Sequence, residues 1–189
     1  MKTFTTVSLK HHFLIAMPQM ADPRFAQTLI YLVEHNQEGA MGLVVNRPSG
    51  LNLVDIIEQL RPDEPPVPSC QPLPVYTGGP VQTDRGFVLH PADRHFQATL
   101  GLGPLGMTTS QDVLFCIADG QGPERHFIGL GYAGWGAGQL EAEMAQNAWL
   151  SCPAQLSILF ELPADQRLDA AAASLGIQLS QLSSQVGHA

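Results

Sequence analysis

Two apolar runs joined by a short loop restrict the fold of this chain more than any other feature of its sequence. Residues 28–35 (TLIYLVEH) and 40–46 (AMGLVVN) are separated by the four residues NQEG. Gly39, at the end of that loop, accepts a positive φ at little cost, as tight turns between antiparallel strands often require. The sequence therefore predicts a β-hairpin in its first quarter.

The remaining elements alternate without the regular strand–helix–strand rhythm of a parallel sheet. Short apolar runs predict strands at 13–17, 87–90, 97–102 and 126–133. Helical spacing and cap residues predict helices at 51–60, 108–120, from about 138 to at least 148, and at 163–176, whereas 155–162 fits a strand or a helix. Six prolines predict a loop at 61–74. This mixture favours an α+β fold in a single domain, 1–189, with 180–189 as a mobile tail.

The charge balance disfavours several partners. Nine Lys and Arg face 17 Asp and Glu, which makes the net charge −8. Non-specific nucleic-acid binding is therefore not expected, because it needs enough cations to neutralise several phosphates. The apolar run at 13–17 is too short for a signal peptide or a membrane span, and three widely spaced cysteines fit reduced thiols. We expect a cytoplasmic protein without a membrane partner.

Two glycine patterns formally match the dinucleotide fingerprint G-x-G-x-x-G, at 101–106 and 129–134. The first lacks a helix directly after the glycines and a carboxylate after the next strand. The second precedes a helix whose first residues include Glu141 and Glu143, which would repel a phosphate. We therefore expect no cofactor, and interpret 129–134 as a tight strand-to-helix turn with close backbone packing and Trp135 as a lid or anchor.

Other reactive side chains have ordinary structural interpretations. Thr109 is predicted to cap the helix at 108–120, although Ser110 could become a nucleophile if His35 or His90 reached it. Asn147 is predicted to hold a neighbouring loop by side-chain hydrogen bonds. No paired Cys-x-x-Cys or His-Glu-x-x-His pattern is present in the sequence, so no metal site is expected.

Polar residues where strands meet turns are the most suggestive of a site. Five of them would line a polar binding pocket if the fold brings the strand ends together: Asp22, Arg24, His35, Asn46 and Arg47. Local ion pairs and turn hydrogen bonds are the structural alternative for the same residues. No catalytic residue is predicted.

Several long motifs, in order, resemble the AlgH family, also called YqgE-like. They are HHFLIAMPQMADPRF, YLVEHNQEGAMGLVVNRP, TGGPVQTDRGFVLH, TTSQDVL, LGYAGWGAGQLEAEMAQNAWL and the terminal GHA. The resemblance implies a bifurcated, mainly antiparallel sheet with a small closed barrel, surrounded by helices. It carries over no catalytic residue, and the family name reflects a proposed regulatory role in alginate production. Leu168 stands where the family pattern leads us to expect an aromatic residue.

Three functions remain open at this point. The first is a non-enzymatic cytoplasmic protein that regulates indirectly through protein or small-molecule contacts. The second is an enzyme or small-molecule-binding protein that uses the polar pocket. The third is a direct DNA-binding regulator, which would need a recognition helix rich in basic or amide side chains. The sequence leaves the partner and the oligomeric state open.

Overall fold

The structure, a computed structural model, describes residues 7–64 and 72–184. The centre of the proline-rich loop, with Cys70, and the last part of the expected mobile tail, 185–189, lie outside these residues. The strands are β1 (His12–Ala16), β2 (Leu29–Asn36), β3 (Gly39–Val44), β4 (Pro48–Asn52), β5 (Pro74–Thr77), β6 (Val81–Pro91), β7 (Thr99–Leu102), β8 (Leu105–Thr108), β9 (Phe127–Gly136) and β10 (Trp149–Pro153). The helices are α1 (Leu53–Leu60), α2 (Asp112–Ala118), α3 (Gln139–Ala145), α4 (Leu156–Glu161), α5 (Ala164–Ser174) and α6 (Leu179–Ser184).

The ten strands form a single sheet that divides at β9. Its main path runs β10-β1-β2-β3-β9-β6-β8-β7. The last residues of β9 pair with β3, whereas Gly129 and Leu130 pair with β5, which leads on to β4. The described pairings are antiparallel except for β5 with β9. The predicted α+β fold with a bifurcated, mainly antiparallel sheet is confirmed, and the implied barrel corresponds to the curl of this sheet into a half-barrel.

Glycines make the division of the sheet possible. Gly131 lies in β9 with φ +77°, and a Cβ there would be 2.4 Å from the carbonyl oxygen of Gly79. A Cβ on Gly79 would in turn be 2.1 Å from the carbonyl carbon of Tyr132. The expected close backbone packing is therefore confirmed. The expected strand-to-helix turn at 129–134 is wrong, because these glycines lie inside a strand that continues to Gly136.

Apolar side chains cover both faces of the central strands. In β1, Phe13 and Ile15 face the cluster beneath α4 and α5, whereas Leu14 and Ala16 face the cluster beneath α3. A third cluster packs α1 and α2 against β5, β6 and β9. Burying one such large side chain contributes about 1.5–3 kcal/mol. The two-sided burial explains why β1 is a continuous apolar run rather than an alternating one.

The predicted hairpin is confirmed as β2 and β3, and the predicted helices at 51–60 and 163–176 are confirmed as α1 and α5. The ambiguous segment 155–162 contains helix α4. The predicted cap at Thr109 is wrong. Strand β8, paired with β6, keeps the chain extended through Thr108, so α2 begins only at Asp112. Gly120 follows α2 with φ +75°, as expected for a helix stop.

The helix after Gly138 is confirmed but shorter than expected, because β10 begins at Trp149. Asn147 adopts the left-handed conformation with φ +58° just beyond the helix. Its backbone carbonyl accepts a hydrogen bond from the side chain of Gln19 at 2.9 Å. Asn147 therefore holds a loop through its backbone carbonyl, whereas the sequence predicts that its side-chain amide would do so.

At the C-terminal end, 179–184 forms α6, which includes the first part of the segment expected to be a mobile tail. Across residues 7–64 and 72–184, each helix is too short or too polar to span a membrane.

Candidate functional site

Asn46 and Arg47 follow β3 and hold the loop between β1 and β2. The Asn46 side chain accepts from the Leu29 N–H at 2.9 Å and donates to the Gln27 carbonyl at 3.0 Å. The Arg47 guanidinium donates to the backbone carbonyls of Pro23, Arg24 and Ala26. Both polar side chains are thus used to fix the loop, so they are not free to meet a ligand without giving up these bonds.

Asp22 and Arg24 lie in the middle of the same loop and bind each other. Their closest ion-pair distance is 2.8 Å, and the Asp22 carboxylate also accepts from the Arg24 N–H. The side-chain hydrogen bond from Arg24 lowers the pKa of Asp22 from its ordinary value, and the same pair raises the pKa of Arg24. The structure therefore brings four of the five predicted residues to one loop, but as local structural contacts.

A cleft of ≈ 620 Å³ opens beside this loop. Its lining includes Asn46 and Arg47, the end of β1 and the turn that follows it, and residues of α5 and α6. Asp165 and Asp169, four residues apart on α5, add two exposed carboxylates. Because the Arg47 guanidinium is committed to carbonyls, these aspartates supply most of the remaining polar character of the cleft.

His35 lies away from the other predicted residues. It is six residues from Leu29 along β2, which separates it from Asn46 by about 20 Å. The side chain is 3% exposed; its Nδ1 accepts from the Leu9 N–H at 2.8 Å, and its Nε2 lies 2.7 Å from the Glu141 carboxylate. Since Nδ1 accepts from a backbone donor, the proton of the neutral ring is on Nε2 and points at Glu141. The hydrogen bond from His35 lowers the pKa of Glu141 from its ordinary value.

A second histidine pair was missed by sequence reasoning. His90 is fully buried; its Nδ1 lies 2.8 Å from the Pro91 carbonyl and its Nε2 lies 2.7 Å from the Thr108 hydroxyl. Thr108 is also fully buried and bonds to Thr99 at 2.7 Å. Gly106 leaves room for the ring, since a Cβ there would be 2.8 Å from its Cε1. Gly106 was the sequence signal that could have indicated a large side chain at this point, but the strand that contains it, β8, was not predicted.

The arrangement resembles a hydroxyl and its base, but Thr108 is closed to solvent. Ser110, the predicted hydroxyl candidate, instead accepts from the Ala98 N–H and donates to Asp112. His35 and His90 both bond elsewhere. Nucleophilic catalysis needs a nucleophile that a substrate can reach, and neither hydroxyl in these contacts combines a histidine base with exposure.

Glu141 and Glu143, which the sequence analysis expected to repel a phosphate, both accept hydrogen bonds from side chains of the sheet. Glu143 accepts from the indole N–H groups of Trp135 at 2.7 Å and Trp149 at 3.2 Å. These rings pack edge to face at 6.0 Å, and Phe25 contacts both. Trp135 is thus an anchor rather than a lid. Together with the bond from His35 to Glu141, this links α3 to three strands.

Comparison with known proteins shows the family of the chain. The sequence model of the AlgH-like family matches residues 13–180. The chain belongs to the AlgH-like family. A "UPF0301 protein" of Stutzerimonas stutzeri is 75% identical over 189 residues, and "UPF0301 protein AlgH" of Pseudomonas aeruginosa is 66% identical; both alignments cover all of each chain.

Solved structures place the fold within the same family. The solution structure of the AlgH protein from Pseudomonas aeruginosa is similar with a TM-score of 0.82 and 66% identity, covering all of both chains. A crystal structure from Corynebacterium diphtheriae has a TM-score of 0.68 at 21% identity, covering 92% of this chain and 90% of that one. The second likeness supports the fold alone.

Proposed function

We propose that this AlgH-like protein is a non-enzymatic cytoplasmic binding protein whose regulatory effect on transcription is indirect. The observation that carries the proposal is the internal commitment of its candidate acids and bases. His35 bonds to Leu9 and Glu141, and His90 bonds to Pro91 and Thr108. Asp22 bonds to Arg24. A general base has to reach a substrate proton, whereas these groups already hold the fold together.

Charge favours an indirect effect over direct DNA binding. The net charge is −8, and most arginines of the chain are held by carboxylates or backbone carbonyls. A DNA-binding surface needs several cations that can neutralise phosphates. Protein or small-molecule contacts are better suited to a surface of this kind.

The proposal is tested by replacing the histidines with a side chain that keeps hydrogen bonds but takes up no proton. His35→Gln and His90→Gln would be expressed in a strain lacking its own copy, and transcript profiles would be compared with the wild-type chain. We expect each folded variant to restore the wild-type profile. Loss of general base catalysis would instead reduce an activity about 10²–10⁴-fold. A folded variant that restores nothing would favour the enzyme alternative.

Direct DNA binding is tested with a labelled non-specific duplex. We expect fluorescence anisotropy to show no saturable binding at physiological salt and little gain at low salt. Tight binding with a steep salt dependence would overturn the indirect mechanism, because it would require release of several counterions. Cell fractionation tests the cytoplasmic location.

A further inference from the structure

We propose that a cleft between β6 and the β7–β8 hairpin binds a small amphipathic carboxylate. This inference rests on the proposed binding function and specifies the ligand class. The cleft has a volume of ≈ 480 Å³, within the range of small-molecule sites. Its lining includes Met41, Gln82, Arg85, Phe87, Met107 and Tyr132. We refer to it as the Arg85 cleft.

A bulge in β6 places the polar side of the cleft. The pairing of β6 with β9 is interrupted between Val81 and Gly86. Within the interruption Gln82 has a φ of +47°, a left-handed conformation that is unfavourable for a residue other than glycine. Its side-chain oxygen accepts a hydrogen bond from Arg85 at 3.2 Å. The irregular backbone thus presents an amide and a guanidinium side by side at the mouth of the cleft.

The Arg85 guanidinium is more available than those of the other arginines. Three of these are in ion pairs: Arg24, Arg61 and Arg125. Three more donate to backbone carbonyls: Arg47, Arg94 and Arg167. Within residues 7–64 and 72–184, the hydrogen bond of the Arg85 guanidinium goes to the neutral side chain of Gln82. Arg85 is exposed and lines the cleft, so its remaining donors are accessible.

The floor of the cleft is apolar and aromatic. Arg85 stands over the Phe87 ring at 5.4 Å, and Phe87 packs edge to face on Tyr132 at 5.7 Å. Met41 and Met107 add flexible side chains that adapt to different ligand shapes. Leu100 also lines the cleft and is 54% exposed, so its side chain is accessible to a ligand. These groups suit the apolar part of a ligand.

The charge of the cleft selects the head group. Arg85 is its single charged residue, while Asp84 lines the neighbouring cleft, to which Arg85 also contributes. One planar guanidinium matches one carboxylate through two parallel hydrogen bonds. A phosphate dianion would need more positive charge, and the net charge of −8 repels it further. The side-chain amide N–H groups of Gln82 and Gln97 and the Thr109 hydroxyl can complete the carboxylate's bonds.

The test uses octanoate as the probe and the methionine methyl signals in an NMR titration. We expect octanoate to shift the methyl signals of Met41 and Met107, while Met20 and Met144 stay unchanged. Octanamide and octylammonium carry the same chain without the negative charge, and they should bind at least fivefold more weakly. A shift confined to Met17, which lines the cleft beside α5, would overturn the assignment.

Arg85→Gln separates the anion contact from general charge. We expect it to raise the dissociation constant for octanoate about three- to tenfold, as a hydrogen bond between charged groups is lost at an exposed site. Arg125→Gln removes the same charge from an exposed position outside the cleft lining and should leave the constant unchanged. Equal effects of the two variants, equal binding of octanoate and octanamide, or no binding of octanoate would overturn the proposal. The histidine variants test the proposed function separately.

Discussion

His35 joins three parts of the chain that are far apart in sequence. Its ring accepts from the Leu9 N–H and donates to Glu141, and its carbonyl accepts from the Ser8 hydroxyl. These bonds tie the segment before β1 and the start of α3 to the end of β2. At the scale of single residues, the polar groups of this protein act mainly as such ties.

Replacing His35 with alanine should therefore destabilise the fold. His35→Ala leaves the Leu9 N–H and a Glu141 oxygen without their partner, and we expect a loss of about 2–4 kcal/mol in the free energy of unfolding. His35→Gln should cost about half as much, because an amide can accept and donate in the same directions. Urea denaturation would measure both. Equal losses would show that packing of the ring, and not its hydrogen bonds, is what matters.

Glu141 should give the protein an acid-dependent part of its stability. Its folded pKa is lowered by the hydrogen bond from His35, so its stabilising effect is present above the ordinary carboxyl pKa. That effect is lost as the pH falls through the lowered folded pKa. Glu141→Gln should flatten the fall of Tm between pH 5 and pH 3, whereas Glu38→Gln on the hairpin turn should not. Identical profiles for the two variants would contradict this assignment.

Sequence reasoning located these polar residues and anticipated the local pairing of Asp22 with Arg24, but it could not identify the distant partners. Strand-end positions of Asp22, Arg24, Asn46 and Arg47 were readable because turns carry polar residues. The partners of Arg47 are backbone carbonyls more than twenty residues earlier, and the partner of His35 is 106 residues away. Such contacts depend on strand register, which composition does not reveal.

At the scale of elements, the division of the sheet depends on Gly131. Gly131→Ala would place a Cβ 2.4 Å from the Gly79 oxygen at a φ of +77°, and the obstacle is backbone that cannot rotate away. We expect the free energy of unfolding to fall by about 2–4 kcal/mol. Thermal unfolding would measure it.

Gly134→Ala is the matched control in the same strand. A Cβ there would meet the Tyr132 ring at 3.4 Å, an ordinary contact, and the position is exposed. We expect the free energy of unfolding to change by about 1 kcal/mol or less. If the two alanine variants unfolded at the same temperature, the close approach at Gly131 would not limit the fold.

Elements that carry a signal within their own residues were predictable, whereas two short strands, β8 and β10, were not. The β2–β3 hairpin and α5 show their character within their own residues, through a turn glycine and through proline and glycine at the two ends. Strands β8 and β10 span four and five residues, and their extended conformation is set by pairing with β6 and β1. The extent of α3 was overestimated because β10 competes for the residues after Asn147.

At the scale of the whole molecule, Arg167 connects the helices to both branches of the sheet. From α5 it donates to the Leu162 carbonyl at 2.9 Å, to the Val45 carbonyl at 2.6 Å and to the Tyr76 hydroxyl at 3.2 Å. Val45 follows β3 and Tyr76 lies in β5, so these contacts reach each branch. The guanidinium is 4.9 Å from the Tyr76 ring.

Arg167→Met should weaken the packing of α5 against the sheet. Two buried acceptors and one part-buried acceptor lose their donor, although the cost of burying a charge disappears as well, so we expect a net loss of about 2–4 kcal/mol in the free energy of unfolding. Chemical denaturation followed by tryptophan fluorescence would measure it. Arg24→Met, at an exposed ion pair, should leave the midpoint nearly unchanged. A stable Arg167→Met variant would show that apolar contacts alone hold α5 in place.

The overall topology could be anticipated only through the resemblance to a family. The α+β class followed from the mixture of elements, but the three partners of β9 depend on contacts between distant segments.

That one strand borders three others has a consequence for how the protein comes apart. Both branches of the sheet pair with β9. If either branch separates from β9, backbone amides of β9 lose their partners, and the pairing of the other branch is weakened as well. Hydrogen exchange at Ile128 and Leu130 should therefore require disruption of the entire molecule, while the outer strands β7 and β10 fray on their own. The two branches therefore unfold as one cooperative unit, because both depend on pairing with β9.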